Sequence, residues 1–191
     1  MYVVLMSTVA HARGVVAGAA ILTFFGSVWC LLALTFWQAH PRWSIPAAYA
    51  VGTLLLAWCL ARFIAWKDIP SPDDPIAAAK GKRAGMWFGI IFTAEGLFIG
   101  LAAVILNHLG LSGWIPLAAA ALVGLHFLPL ARLFEVSLYY WTGTISVLAM
   151  VACSFIPDSG ARQLSAGLVM AAILWLSAGT LLVQTNPTPP A

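Results

Sequence analysis

The sequence predicts an all-α integral membrane protein, a bundle of six transmembrane helices with both termini on the cytoplasmic side. Three observations lead there. Of 191 residues, 62% are hydrophobic and 8% charged, and the mean hydropathy is +0.97, more apolar surface than a soluble core of this length can bury. The apolar residues are gathered into six runs, and a hydrocarbon layer about 30 Å thick needs about 20 such residues per helix. The runs also lack the alternation of about ten residues that a barrel strand requires, so helices are the way to satisfy the backbone in lipid.

Residues 1–13 are expected to form a cytoplasmic N-terminus. Ala10-His11-Ala12 looks like a cleavage site, but no basic n-region or long h-region precedes it, so no cleaved signal peptide is expected. The first two helices span 14–37 and 45–66, with Trp37 and Trp43 at the outer interface and Trp66 at the inner one. A loop from Lys67 to Ala84 follows, Pro-rich and acidic in its first half and basic in its second. Asp74 before Pro75 has the form of a helix N-cap with proline at the first helical position, so a short surface helix is expected. Lys80, Lys82 and Arg83 would lie on the lipid as a topology determinant, or touch anionic headgroups or a phosphate-bearing solute.

The third helix is placed at 85–106. At about 100° per residue, Gly85, Gly89, Gly96 and Gly100 share one narrow face, the small-residue stripe by which membrane helices approach closely. Glu95 lies about 110° away from that stripe. Two faces in need of partners place this helix centrally, packed on two sides. The fourth helix covers 114–130, and extends to 135 if Pro129 is carried through rather than ending it. Proline removes a hydrogen bond to the carbonyl of Leu125, next to His126, and so leaves polar capacity there. Continuation is favoured by the apolar residues around Arg132 and Glu135, and it would bring His126 level with Glu95. The last two helices fall at 138–156 and 164–183, leaving 184–191 as a disordered cytoplasmic tail.

Orientation rests on the cations. With the N-terminus inside, Arg13, Arg62, Lys67, Lys80, Lys82, Arg83 and Arg132 are cytoplasmic while Arg42 and Arg162 are outside, a clear positive-inside bias.

Glu95 is the most informative residue. A carboxylate in mid-span costs roughly 2.5–3.5 kcal/mol even on the lenient insertion scale, so it turns toward a bundle interior, a partner or a wet cavity. With His126 it allows three readings: a structural hydrogen bond between helices, a proton-titrating or substrate-binding pair, or metal or haem ligation. Arg132 and Glu135, at i and i+3, would make an interfacial ion pair or a cytoplasmic gate. His40, His108 and Asn107 fall on the outer side and make a weak metal signal. Cys30, Cys59 and Cys153 sit in three different spans and read as buried free thiols.

Other chemistries find no residues to carry them. No lysine lies within a span for a retinal Schiff base, and no Ser-His-Asp set, paired intramembrane carboxylates or Walker-type loop occurs. No catalytic residue, metal site or cofactor is assigned. Cations spread over loops argue against nucleic acid as a partner. Membrane lipid is the expected partner, with a homo-oligomer possible through small-residue faces such as Gly167, Ala171 and Ala178. The two halves show no convincing internal repeat.

The segment Gly124-Leu-His-Phe-Leu-Pro-Leu-Ala131 resembles small polytopic bacterial inner-membrane proteins of unassigned function that carry a His-Phe-x-Pro-Leu-Ala stretch. That resemblance implies a bacterial inner-membrane location and directs attention to His126. The leading functional expectation is a non-enzymatic transporter or channel for a small solute or ion centred on Glu95 and His126. Its rivals are a non-catalytic scaffold or accessory subunit and an intramembrane redox or lipid-modifying enzyme.

Overall fold

The computed structural model describes residues 9–37, 41–67 and 75–185. The apolar runs coil into α1 (Val9–Thr35), α2 (Ser44–Trp66), α3 (Pro75–His108), α4 (Ile115–Phe134), α5 (Leu138–Ser154) and α6 (Ser159–Gln184), with a 3₁₀ turn at Ser112–Trp114 leading into α4. The chain is all-helical among the described residues. Five helices are long and apolar enough to cross a membrane; α5 is apolar but only 17 residues long, about 25 Å at 1.5 Å per residue. Six spans were expected, the fifth at 138–156; its helix stops at Ser154 because Pro157 disfavours helical backbone at Ile156.

Helix ends follow local chemistry. The α6 helix starts five residues earlier than the apolar run, because the Asp158 carboxylate accepts the Ala161 N–H at 2.7 Å and so caps it. The α3 helix starts at Pro75 and runs unbroken for 34 residues, about 51 Å. The basic half of the preceding loop is therefore the first part of α3 and not a separate surface helix, since nothing between Pro75 and Gly110 breaks it. The proposed cap Asp74, together with His40 and residues 186–191 of the tail, lies outside the described residues.

Helix α6 runs through the middle of the bundle, against α1, α2, α4 and α5. It is antiparallel to α1: Gly167 faces Ala33 and Trp29, and the Trp175 indole donates to the Thr23 carbonyl at 3.3 Å. A Cβ on Gly167 would lie 2.7 Å from that of Ala33. Gly167, Ala171 and Ala178 are all buried here, so this face is spent inside the chain and is not open to a second copy. Helices α4 and α5 approach closely at Gly124 and Gly143, where a Cβ on Gly143 would sit 2.6 Å from the Gly124 carbonyl oxygen. Thr142 and Ser177 bond across α5 and α6 at 2.8 Å, the kind of polar contact that joins helices where lipid gives no hydrophobic drive.

The position of α3 corrects the expectation of a central helix. Among the described residues it packs along α4 and the 3₁₀ turn, with a ring contact between Phe92 and Phe25 as its link to α1. Nothing lies within 4 Å of a Cβ placed on Gly85, Gly89, Gly96 or Gly100. The stripe faces outward because α3 uses a different side, that of Glu95, for α4.

Candidate functional site

Helix α4 passes through Pro129 and ends at Phe134, where Glu135 takes the left-handed conformation (φ 57°, ψ 32°) and terminates it. Continuation places His126 about 17 Å from the start of α4 and about 12 Å from its end. It meets Glu95 there. The Glu95 Oε2 to His126 Nδ1 distance is 2.7 Å, with the two side chains 10% and 9% exposed. The contact is close but off the N–H axis, since Nδ1 has no aligned hydrogen-bond acceptor. We therefore read it as an electrostatic contact of two adjacent acid–base groups.

Aromatic rings close over this pair. Phe92 stands edge-on to the His126 imidazole at 6.4 Å, and Phe127 packs on it from the next position at 5.7 Å. Phe88 bridges Phe92 and Phe134, each with centroids 5.9 Å apart. Each of the two polar groups offsets part of the other's desolvation cost. Such a pair can stay deep in an apolar wall at far lower cost than either ion alone.

A cavity of about 400 Å³ opens between α3 and α4 on the Lys80 and Arg132 side of the pair, and its inner wall reaches Ile91 and Pro129. Ile91 lies four residues before Glu95 and Pro129 three after His126, so the cavity stops one helical turn short. Neither Glu95 nor His126 lines it.

The expected Arg132–Glu135 pair is not formed. Glu135 instead meets Lys80 of α3 at 2.7 Å, and Arg132 Nε donates to the Tyr140 hydroxyl at 3.3 Å. The left-handed turn at Glu135 swings its side chain off the face that Arg132 occupies, which separates i and i+3. Gly85, Gly89, Gly96 and Gly100 take no part in the site. His108 ends α3, exposed, and among the described residues no three His, Cys, Asp or Glu side chains gather as a metal site. Cys30, Cys59 and Cys153 are free, buried and apart.

Arg162, which the sequence presents as a simple outer charge, has a larger role. It is 6% exposed, donates from Nη1 to the carbonyls of Ile156 (3.0 Å) and Pro157 (3.4 Å), and stacks 4.1 Å above the Trp114 ring. One guanidinium thus ties the end of α5, the start of α6 and the entry to α4. The signal available was an arginine in the first turn after a capped start, at the same interface as a tryptophan.

No protein family, curated protein or solved structure matches the chain.

Proposed function

We propose that the protein is a non-catalytic scaffold or accessory subunit of a bacterial inner membrane, with six spans and both termini cytoplasmic, in which Glu95 and His126 clasp α3 to the bundle. The observation carrying this reading is the closure of the pair: each side chain is about nine-tenths buried, they touch at 2.7 Å, and the neighbouring cavity ends at Ile91 and Pro129. A carboxylate closed on one partner, outside the neighbouring cavity, does what interhelical polar contacts do in lipid. The α3 helix needs such a contact, because α4 supplies nearly all of its packing.

Charge distribution supports the topology. Arg13 donates to the carbonyls of Trp66 and Lys67, so the start of α1 meets the end of α2. Gly18 of α1 lies beside Tyr139 at the start of α5, which is the Arg132 end of α4. The seven cations expected inside therefore gather at one end and Arg162 stands at the other. With α5 as a short sixth span, α1 begins and α6 ends on the basic side.

A specific observation favours one other reading. The cavity runs along the same groove to within a turn of Glu95 and His126, so a modest opening of α3 from α4 would connect it to the pair and make a transporter or channel. Proton and small-ion flux in liposomes at two pH values separates the two. The scaffold reading expects flux equal to that of protein-free liposomes, unchanged by Glu95→Gln. A pH-dependent flux that Glu95→Gln removes overturns it and establishes transport.

A further inference from the structure

We propose that the basic end of the α3–α4 groove is a binding site for the phosphate group of an anionic amphiphile. Lys80 and Arg83 enter the cavity from α3, Arg132 from α4 and Glu135 from the turn that ends α4. Three cations against one carboxylate leave an excess of +2. The Glu135 carboxylate lies on Lys80 at 2.7 Å, so the surplus resides on the two guanidinium groups. Arg83 has no side-chain partner among the described residues, and Arg132 commits Nε to Tyr140 while its two terminal nitrogens stay available. Two arginines on facing helices, each a planar fork of donors, match the geometry of a phosphate.

The remaining walls say what else the ligand carries. Trp87, Ile91, Pro129 and Leu133 line the cavity beneath the charges with apolar surface. Lys80, Ala84, Trp87 and Ile91 follow helical spacing, so the polar mouth passes continuously into an apolar slot along one face of α3. A bare phosphate leaves that slot unfilled. A phosphate esterified to a hydrophobic chain fills both parts, and the volume of about 400 Å³ suits a headgroup with the first carbons of its tail. The bound phosphate would bridge α3 and α4. Glu95 and His126 do not line the cavity, so the site stands whether the pair is a clasp or a transport centre.

The test uses full-length protein in neutral-detergent micelles, with melting followed as phosphatidylglycerol or inorganic phosphate is titrated in. Binding to the folded state alone raises Tm with ligand concentration. The lipid is expected to raise Tm in wild type and in Lys82→Gln, whose lysine shares the helix but not the cavity. Arg83→Gln and Arg132→Gln are expected to need at least about tenfold more lipid for the same shift, because each removes a charge-assisted hydrogen bond to the phosphate. Each variant is compared with its own lipid-free Tm; where a Gln variant does not fold, Arg83→Lys or Arg132→Lys keeps the charge but loses the fork, and a smaller weakening is expected. A matching shift with inorganic phosphate alone overturns the amphiphile and makes the ligand a soluble phosphate compound. Equal responses in wild type and all variants, or no response in any, overturn the site itself.

Discussion

Glu95→Gln and His126→Ala, singly and together, measure the clasp directly. The side chains touch at 2.7 Å but off the hydrogen-bond axis, inside a wall of rings. A polar contact between membrane helices averages about 0.6 kcal/mol and reaches about 1.7, while breaking a buried ion pair from one side costs about 3–5 kcal/mol in soluble proteins. The contact lies off the hydrogen-bond axis, which puts it nearer the membrane figure. Each single substitution is therefore expected to destabilise by about 1–3 kcal/mol, and the double mutant by about 1–2 kcal/mol less than the sum. Truncating His126 also takes an edge-on neighbour away from Phe92, in the single and the double mutant alike, so that effect cancels from the coupling. Reversible unfolding of purified protein in mixed neutral and anionic detergent reads all four values. Additivity to within about 0.5 kcal/mol would mean that the contact joins nothing, and the clasp would have to be abandoned.

Glycines give a second contrast. Gly143→Ala should lower stability by about 1–3 kcal/mol in the same assay, because its Cβ would stand 2.6 Å from the Gly124 carbonyl oxygen. Gly89→Ala, with nothing within 4 Å, should be neutral or stabilising by up to about 1 kcal/mol; if the outward stripe holds a second copy, Gly96→Leu should reduce the oligomer seen by light scattering while the monomer stays folded. Arg162→Lys keeps the charge but gives up the planar stack on Trp114 and one or both carbonyl bonds, so a fall in Tm is expected. Glu135→Gln breaks an ion pair whose side chains are about two-thirds exposed, so its unfolding free energy should change by no more than about 1 kcal/mol.

Hydropathy revealed most of the helices because lipid demands long uninterrupted apolar runs, and Pro129 was legible as an interior proline because Leu130, Ala131, Leu133 and Phe134 keep the stretch apolar beyond it. A shared depth for Glu95 and His126 was legible once the helix carried on through Pro129, but their contact at 2.7 Å was not, because the sequence does not say which faces of the two helices meet. Neighbour choice was not legible. A stripe such as Gly85 to Gly100 records that a backbone could come close, not that one does, and the glycines used inside the chain are Gly124, Gly143 and Gly167. Only three-dimensional placement separates these cases, because helical spacing is the same in all of them. The ion pair expected between Arg132 and Glu135 fails for a local reason, a single left-handed residue at the end of α4 that alters which side chains are neighbours.

The helices differ in reach. On the six-span reading, α5 offers lipid a span of 17 residues faced by Trp141, Ile145, Leu148 and Phe155, while the apolar part of α3 covers residues 85–106, beyond the cations Lys80, Lys82 and Arg83. A bilayer of uniform thickness cannot match both. Lipid beside α5 must thin, or the whole bundle must lean until α3 is accommodated, at a fraction of a kcal/mol per Å of mismatch. Acyl chain length thereby acts on the protein as a mechanical variable: thin bilayers favour the leaning bundle and thick ones the upright bundle. Helix α3, fastened along one side only, absorbs the difference.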